Sequence, residues 1–180
     1  MGDLQIVDFQ PAYADAFLRL NEEWLEKYFW VEDIDRKVLT DPQGEIIDHG
    51  GYILFARISD DIIGTAALKH QGNAIFELTK MAVTATQQGA GVGRALMIAS
   101  IEQFESAGGK KLYLETNSSL STAIGLYESA GFIHAVAPAV SEYARADTYM
   151  IYPKGSKPLK SKRNPHSKRS GTTKPYKCSE

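Results

Sequence analysis

Hydrophobic residues in the first part of the chain recur at helical spacing. In "PAYADAFLRLNEEWLEKYFW", Phe17, Leu20, Trp24 and Tyr28 follow one another at intervals of three or four residues. This spacing predicts an amphipathic helix, and Pro11 is suited to its first turn. A second, short helix is predicted over "DIDRKVL", ahead of the turn residues "DPQG".

The pattern then changes to apolar runs of strand length. "YILFARI", "IIGTAALKH" and "AIFELTKMAV" cover 52–58, 62–70 and 74–83. They are separated by "SDD" and "QGN", which are short enough for hairpin turns. Because strands joined by hairpins run antiparallel, these three segments predict an antiparallel meander.

Helices and strands alternate in the rest of the chain. Leu96, Met97, Ile101 and Phe104 mark a helix that ends at "AGGKK". A strand "KLYLET", a helix "LSTAIGLYESAGF" and the strands "FIHAVA" and "ADTYMIY" follow. Since a strand–helix–strand unit places its two strands parallel, "AIFELTKMAV" and "KLYLET" predict one parallel pair in a mixed sheet.

Charge divides the chain of 180 residues into two parts. Nine of the 20 Lys and Arg residues, but one of the 22 acidic residues, lie in 154–180. The body, 1–153, is therefore acidic and the tail basic. The tail is rich in Lys, Ser, Pro and Gly, and its composition predicts disorder. Its basic charge leaves two alternatives open: a tether for nucleic acid or a membrane, and a solvated tail that touches its own acidic body or nothing specific.

The single cysteine, Cys178, excludes a framework of disulfide bonds within the chain and favours a reducing compartment, the cytoplasm. The first residues, "MGDLQIVDFQ", lack the basic start and apolar run of a signal peptide. No apolar stretch approaches the roughly 18 residues of a transmembrane helix. The sequence therefore predicts no membrane association and does not determine an oligomeric state.

A glycine-rich segment, "QGAGVG" at 88–93, stands directly before a predicted helix. The first N–H groups of a helix have no partner within it, and glycines allow a ligand to approach the backbone. Together they predict a site for a phosphate or pyrophosphate, with a simple tight turn as the alternative. Two common phosphate-binding motifs are excluded. Arg94 stands where the dinucleotide-binding fingerprint has its third glycine, and the Gly-Lys-Ser/Thr of the Walker motif does not follow.

The segment "QGAGVG" resembles the Gln/Arg-x-x-Gly-x-Gly/Ala signature of the GCN5-related N-acetyltransferase (GNAT) family. "ELTKMAV" looks like the central strand of that family, and "AIGLYESAGF" looks like its late helix. The element order agrees over nearly all of 1–153. "NEEWLEKYF", "GGYILFA" and "ARADTYM" further resemble a bacterial branch of stand-alone acetyltransferases. The resemblance implies an α/β (α+β) fold with a mostly antiparallel sheet, one splayed parallel pair and about four helices.

The resemblance also implies acetyl-CoA as co-substrate, with no metal. By this analogy the backbone of Met81, Ala82 and Val83 would hold the pantetheine arm. The pyrophosphate would be held by Gln88, Gly89, Ala90, Gly91, Val92, Gly93 and Arg94. Arg94 would help to neutralise the phosphates, or is an ordinary surface arginine. Asn117 could contact the arm, although an asparagine at a strand end is more often a turn former.

The implied chemistry is acetyl transfer to an amine by direct attack. Tyr127 occupies the position of the family's tyrosine acid, and the alternative is a packing residue. Glu77 lies where the family often has a base that acts through water, and the alternative is a solvated strand residue. A backbone N–H near Met81 or Ala82 is the expected donor to the developing oxyanion. His49, His70 and His134 lack metal-ligand spacing.

Three classes of function follow. The first is an active N-acetyltransferase with an amine acceptor, either a small molecule or a peptide. The second is a CoA-binding regulatory module without catalysis, and the third is a nucleic-acid-associated protein that acts through its tail. "EEWLEKYFWVEDID" combines acidic residues with four aromatic ones, which suits a cationic acceptor. The alternative is that its aromatic residues are core and its acidic residues solvated.

Overall fold

The computed structural model describes residues 3–155, so all but the first two residues of the tail, 154–180, for which disorder was predicted, lie outside the described residues. The first predicted helix forms as a 3-10 turn, Pro11–Tyr13, followed by α1, Ala14–Tyr28. The second forms as α2, Asp33–Thr40. A capping box opens α2, in which the side chains of Glu32 and Asp35 bind each other's backbone N–H groups.

The central sheet has seven strands in the order β1-β2-β3-β4-β5-β7-β6. The strands are β1 (Leu4–Asp8), β2 (Tyr52–Ile58), β3 (Asp61–His70), β4 (Ile75–Val83), β5 (Lys111–Thr116), β6 (Ile133–His134) and β7 (Thr148–Tyr152). The hairpin pairs β2–β3 and β3–β4 are antiparallel, as the short turns predict. The predicted fold class is confirmed.

The parallel pair of β4 and β5 opens into a fork. Their register runs from Ile75 opposite Lys111 to Glu77 opposite Tyr113 and then ends. β4 continues to Val83 and β5 to Thr116 without further pairing between them. On its β5 side, therefore, the second half of β4 has no strand of the described chain beside it.

Two features of the sheet differ from the sequence-based expectation. β1 was not predicted, because "LQIVD" is a five-residue edge strand with only partly buried apolar residues. The strand predicted over "FIHAVA" ends at His134 rather than continuing through 137. Val136 and Val140 are then almost fully exposed, so no burial supports a longer strand.

Helices cover both faces of the sheet. α3 (Val92–Ser106) and α4 (Ser121–Ser129) follow the parallel strands. One core packs α3 against the sheet through Leu96, Met97, Ile101 and Phe104. A second core lies under α1 and α2 and contains Phe17, Leu25, Val38 and Leu39. A π-helical turn, Gln43–Ile47, and a 3-10 turn, Ala85–Gln87, complete the helical elements of residues 3–155.

No helix within residues 3–155 combines the length and apolar character needed to cross a membrane.

Candidate active site

A cavity occupies the fork between β4 and β5. Its walls come from α1, α2, β4, β5, α4 and the segment that precedes β7. Four of the residues singled out in the sequence, Glu77, Met81, Asn117 and Tyr127, line it. The fold thus brings both proton-transfer candidates into one cavity, although 50 residues separate them in the chain.

The glycine-rich loop has the backbone conformation that only glycine adopts readily. Gly89 and Gly91 have φ angles of 81° and 87°. Gly91 is the N-cap of α3, and a Cβ atom placed at Gly91 would meet no atom within 4 Å. The space in front of the helix N-terminus is therefore open, as an anion site requires. Arg94 is exposed on the first turn of α3.

The loop is tied to β4 by a side chain. Gln88 Nε2 donates to the carbonyl oxygen of Val83, with an N–O distance of 3.1 Å. This bond uses the side chain of Gln88 and one carbonyl of the strand. The backbone of Met81, Ala82 and Val83 leads directly along the fork toward this loop.

β4 carries a bulge where an oxyanion donor was predicted. Thr65 of β3 is opposite Ala82, and Ala67 is opposite Thr79, so two residues of β4 face one of β3. Lys80, one of the two, has a φ of 51°, a left-handed conformation that is uncommon for a residue other than glycine. The bulge takes Lys80 and Met81 out of the regular ladder.

Glu77 is buried at the last paired position of β4 before the fork, with 7% of its surface exposed. Its Oε2 accepts a hydrogen bond of 3.0 Å from Gln71 Nε2. Burial raises the pKa of Glu77; Glu115 adds to the rise, and Lys69 and Lys80 oppose it. A raised pKa brings a carboxyl closer to neutral pH, where it can exchange a proton. The alternative of a solvated strand residue is therefore wrong.

Tyr127 projects from α4 to the same cavity. Burial raises the pKa of its phenol to about 12, with an opposing contribution from the Thr116 hydroxyl. At neutral pH the phenol thus keeps its proton and can donate it. The ring also packs against Phe132, with 6.3 Å between ring centroids, so catalytic and packing roles are compatible at this position.

The side chain of Asn117 is engaged within the protein. Its Nδ2 donates to the carbonyl oxygen of Arg145 over 2.6 Å, and its Oδ1 accepts from the N–H of Ser119 over 2.9 Å. These bonds form a turn after β5 and connect it to the segment before β7. The turn-forming alternative is present in the structure, and a contact between Asn117 and the cofactor stays a prediction.

A buried group of charged residues at the cavity was missed in the sequence. Asp35, which is fully buried, accepts from Lys80 Nζ at 2.7 Å and from Arg145 at 2.7 and 2.8 Å. Arg145 also donates to Glu32 at 2.8 Å. Although burial opposes it, these cations hold the pKa of Asp35 below its usual range. "ELTKMAV" and "ARADTYM" contain both cations, but nothing local to either motif indicates that they meet at Asp35.

Aromatic residues of the first helix reach the cavity in part. Trp24 and Phe29 line it, and their ring centroids are 5.8 Å apart. Tyr28 and Trp30 are 42% and 59% exposed. The prediction that this stretch contributes aromatic walls is therefore supported for two of its four aromatic residues.

The three histidines within residues 3–155, His49, His70 and His134, contact other protein groups rather than one another's side chains. The Nδ1 atom of His49 lies 2.7 Å from the carbonyl oxygen of Gly44, and that of His70 lies 3.2 Å from the carbonyl oxygen of His49. His134 lies 3.3 Å from the exposed Glu128. Within residues 3–155 no three or more His, Cys, Asp or Glu side chains are arranged to hold a metal ion.

Comparison with known families gives a match over most of the described chain. The family model "Acetyltransferase (GNAT) family" matches residues 4–132. This range includes the glycine-rich loop, β4 with its bulge, and α4 with Tyr127. It ends before the segment that carries Arg145.

Individual relatives and structures agree with this match. The chain is 39% identical over 71 residues to the uncharacterized N-acetyltransferase YjgM of Escherichia coli K12, which is 39% of this chain and 42% of that protein. Matches cover only 27–42% of the length of the curated relatives. A GNAT-family acetyltransferase from Staphylococcus aureus Mu50 has the same fold, with a TM-score of 0.75, 17% identity, and coverage of 83% of this chain and 98% of that one.

A second solved structure of the same fold contains acetyl-CoA. YncA from Salmonella typhimurium, solved with acetyl-CoA, has a TM-score of 0.65 and 20% identity, and covers 83% of this chain and 92% of its own.

Proposed function

The chain belongs to the GNAT family of acetyltransferases, and from that premise we propose that it moves an acetyl group from acetyl-CoA to a primary amine by direct attack. The observation that carries the proposal is the meeting of Glu77 and Tyr127 at one cavity in the fork of β4 and β5. We further propose that residues 1–153 form the transferase domain and that the basic tail, 154–180, is not needed for transfer.

The residues of the fork fit acetyl-CoA. The half of β4 that lacks a neighbour on its β5 side offers the backbone of Met81, Ala82 and Val83 to the pantetheine arm. The amide groups of the pantetheine arm would form hydrogen bonds with this backbone, as an added β-strand does. The loop from Gln88 to Arg94 supplies the open helix N-terminus for the pyrophosphate. Acetyl-CoA supplies the activated acetyl group as a thioester.

Glu77 is assigned the early proton transfer. An ammonium has no lone pair, so it must lose a proton before its nitrogen can attack. Glu77 has a raised pKa and lies at the cavity, so its carboxylate can accept that proton directly or through a water. The N–C bond then forms to give a tetrahedral oxyanion, and the C–S bond breaks as this oxyanion collapses.

Tyr127 is assigned the late proton transfer. With a pKa of about 12, its phenol holds its proton at neutral pH and can give it to the departing sulfur. In total the amine gains an acetyl group, the thiolate gains a proton, and one proton is released to solvent. The N–H groups at the bulge of β4, at Met81 or Ala82, would stabilise the oxyanion.

The decisive experiment measures thiol release from acetyl-CoA over a panel of primary amines. The panel contains diamines, amino acids, aminoglycosides and peptides with free N-termini. Transfer above background to at least one amine is expected. If acetyl-CoA binds but no amine is acetylated, the chain is a CoA-binding module and the proposal is wrong.

A further inference from the structure

The charged residues of the cavity fall into two groups, those paired with an opposite charge and those bound only by neutral groups. Five charged side chains line the cavity: Asp35, Glu77, Lys80, Glu115 and Arg145. The two cations and the three carboxylates do not pair evenly. Their pairing decides which charge a substrate meets.

Both cations are neutralised within the protein. Lys80 Nζ lies 2.7 Å from Asp35 and also donates to the hydroxyl of Tyr143 at 3.0 Å. Arg145 binds Asp35 and Glu32 at 2.7–2.8 Å. Lys80 and Arg145 therefore have two carboxylates, Asp35 and Glu32, to balance their two charges. Among the described residues that line the cavity, no cation is left for the carboxylate of an amino acid.

Both remaining carboxylates are bound by neutral groups. Glu77 accepts from the neutral amide of Gln71, and Glu115 accepts from the hydroxyl of Ser141. Among residues 3–155, no Lys, Arg or His nitrogen lies within 4 Å of either carboxylate. The repulsion between the two contributes to the raised pKa of Glu77. An ammonium ligand would reduce the repulsion between Glu77 and Glu115 and would provide a cation to pair with a carboxylate.

The backbone positions of Glu77 and Glu115 suit the two ends of a short diamine. Glu77 is opposite Tyr113, and Glu115 follows two residues later on the same face of β5. Given strand spacing and rise, their Cα atoms are on the order of 8 Å apart. Trp24 and Phe29 line the same cavity and provide an apolar wall for a short alkyl chain.

We propose that the acceptor is a short aliphatic diamine without a carboxylate, which presents one amine to Glu77 and binds its second ammonium at Glu115. This inference rests on the proposed function. The transfer itself is the one described above: the reacting nitrogen bonds to the acetyl carbon, the C–S bond breaks, and the second ammonium keeps its protons.

Three matched acceptors test the inference with the full chain. Lysine is 1,5-diaminopentane with an added carboxylate, and 1-aminopentane is the same chain without the second amine. We expect kcat/KM for 1,5-diaminopentane to exceed that of both by at least about tenfold, which corresponds to about 1.4 kcal/mol. The reason is that 1-aminopentane lacks the ammonium for Glu115, and lysine adds a carboxylate for which the described residues of the cavity offer no free cation. Equal or better use of lysine, or of 1-aminopentane, would overturn the inference.

A variant tests whether Glu115 causes the preference for the diamine. Glu115→Gln keeps the shape and removes the charge, so the ratio of kcat/KM for the diamine over 1-aminopentane is expected to fall about tenfold. Glu142→Gln is the control, because Glu142 is an exposed acid in the segment that contains Ser141 and does not line the cavity. An equal fall in both variants would indicate a general field effect and would overturn the assignment.

The experiments distinguish a failure of the diamine inference from a failure of the proposed acetyltransferase function. If none of the three compounds is acetylated while a peptide or aminoglycoside is, the diamine inference is wrong and the acetyltransferase proposal stands. If no amine of the whole panel releases thiol, the acetyltransferase proposal fails, and the diamine inference fails with it.

Discussion

The Nζ atom of Lys80 lies 2.7 Å from Oδ1 of Asp35, and the two side chains are 5% and 0% exposed. The pair joins the bulge of β4 to α2. Lys80 is also the residue of β4 with a left-handed φ. A strained backbone persists where its surroundings hold it, and the buried ion pair is such a constraint.

Loss of the shared carboxylate should strongly destabilise the fold. Asp35→Asn leaves Lys80 and Arg145 short of one negative charge in a buried place, and breaking a buried pair in this way typically costs about 3–5 kcal/mol. The measurement is urea unfolding at pH 7. Lys37→Met is the control, because Lys37, which pairs with Glu45, is 70% exposed, and ion pairs at the surface contribute about 0–1 kcal/mol.

The same carboxyl predicts a direction of pH dependence. Because the folded protein holds the pKa of Asp35 below its usual range, its contribution is present above the unfolded pKa. It is lost as the pH falls through the folded pKa. The stability gap between the parent and Asp35→Asn should therefore narrow in acid. A gap that stays constant as the pH is lowered would contradict an ionised Asp35.

Gly91→Val should weaken acetyl-CoA binding, measured by calorimetry. Its φ is 87° and the space beside it is open, so a side chain there would occupy the approach of the pyrophosphate. Gly72→Val is a matched control, since Gly72 has a φ of 84°, equally open surroundings, and a place in the β3–β4 turn. Both variants carry similar backbone strain, and only Gly91→Val should lose affinity. Parent-like binding by Gly91→Val would remove the loop from the cofactor site.

Tyr127→Phe should lower kcat by about 10²–10⁴, the usual contribution of a general acid, with little change in acetyl-CoA affinity. The substitution keeps the ring that packs on Phe132 and removes only the hydroxyl. Tyr52→Phe serves as the control, because Tyr52 packs on Phe76 and does not line the cavity. A parent-like kcat for Tyr127→Phe would leave Tyr127 a packing residue.

Glu77→Gln should lose activity most at low pH. Its deficit is expected to shrink as the pH rises toward the pKa of the acceptor, because free amine then forms without a base. Tyr127→Phe should show no such recovery. Rates of both variants are measured against pH with one acceptor. A Glu77→Gln profile that overlays the parent at every pH would exclude Glu77 from proton transfer.

A folding control accompanies this profile. Burial raises the pKa of Glu77 and Glu115 adds to the rise, whereas Lys69 and Lys80 oppose it. Because the carboxyl pKa is raised in the folded protein, ionisation of Glu77 lowers the free energy of unfolding as the pH rises through the folded pKa. Glu77→Gln should therefore melt no lower than the parent at pH 8, and its kinetic defect then reports on chemistry.

Truncation after Pro153 should leave the melting temperature and kcat nearly unchanged. The removed segment contains nine Lys and Arg residues and few apolar ones, and such a composition predicts little contribution to a core. Differential scanning calorimetry and the thiol-release assay provide the measurements. A large fall in melting temperature, or insolubility of the body, would show that 154–180 packs against the domain.

Residues close together in the chain are sufficient to predict the parts of the fold that depend on local spacing. They include the helical repeat of Phe17 and Leu20, the short turns between β2, β3 and β4, and the glycines before α3. The strand–helix–strand unit then predicted a parallel pair, because the helix returns the chain to the edge of the sheet where the first strand began. The family resemblance led to the prediction that Glu77 and Tyr127 take part in the reaction.

Contacts between distant parts of the chain, in contrast, determine which charges of the cavity are free. Asp35 meets Arg145 across 110 residues, and Glu115 meets Ser141 across 26. β1 and the end of β6 likewise depend on neighbours distant in sequence. The sequence identifies which side chains are charged. Whether a charge is neutralised depends on its burial and on the oppositely charged side chains near it in the fold. Within residues 3–155, Lys80 and Arg145 are neutralised by acidic residues, whereas Glu77 and Glu115 line the cavity with no cation within 4 Å.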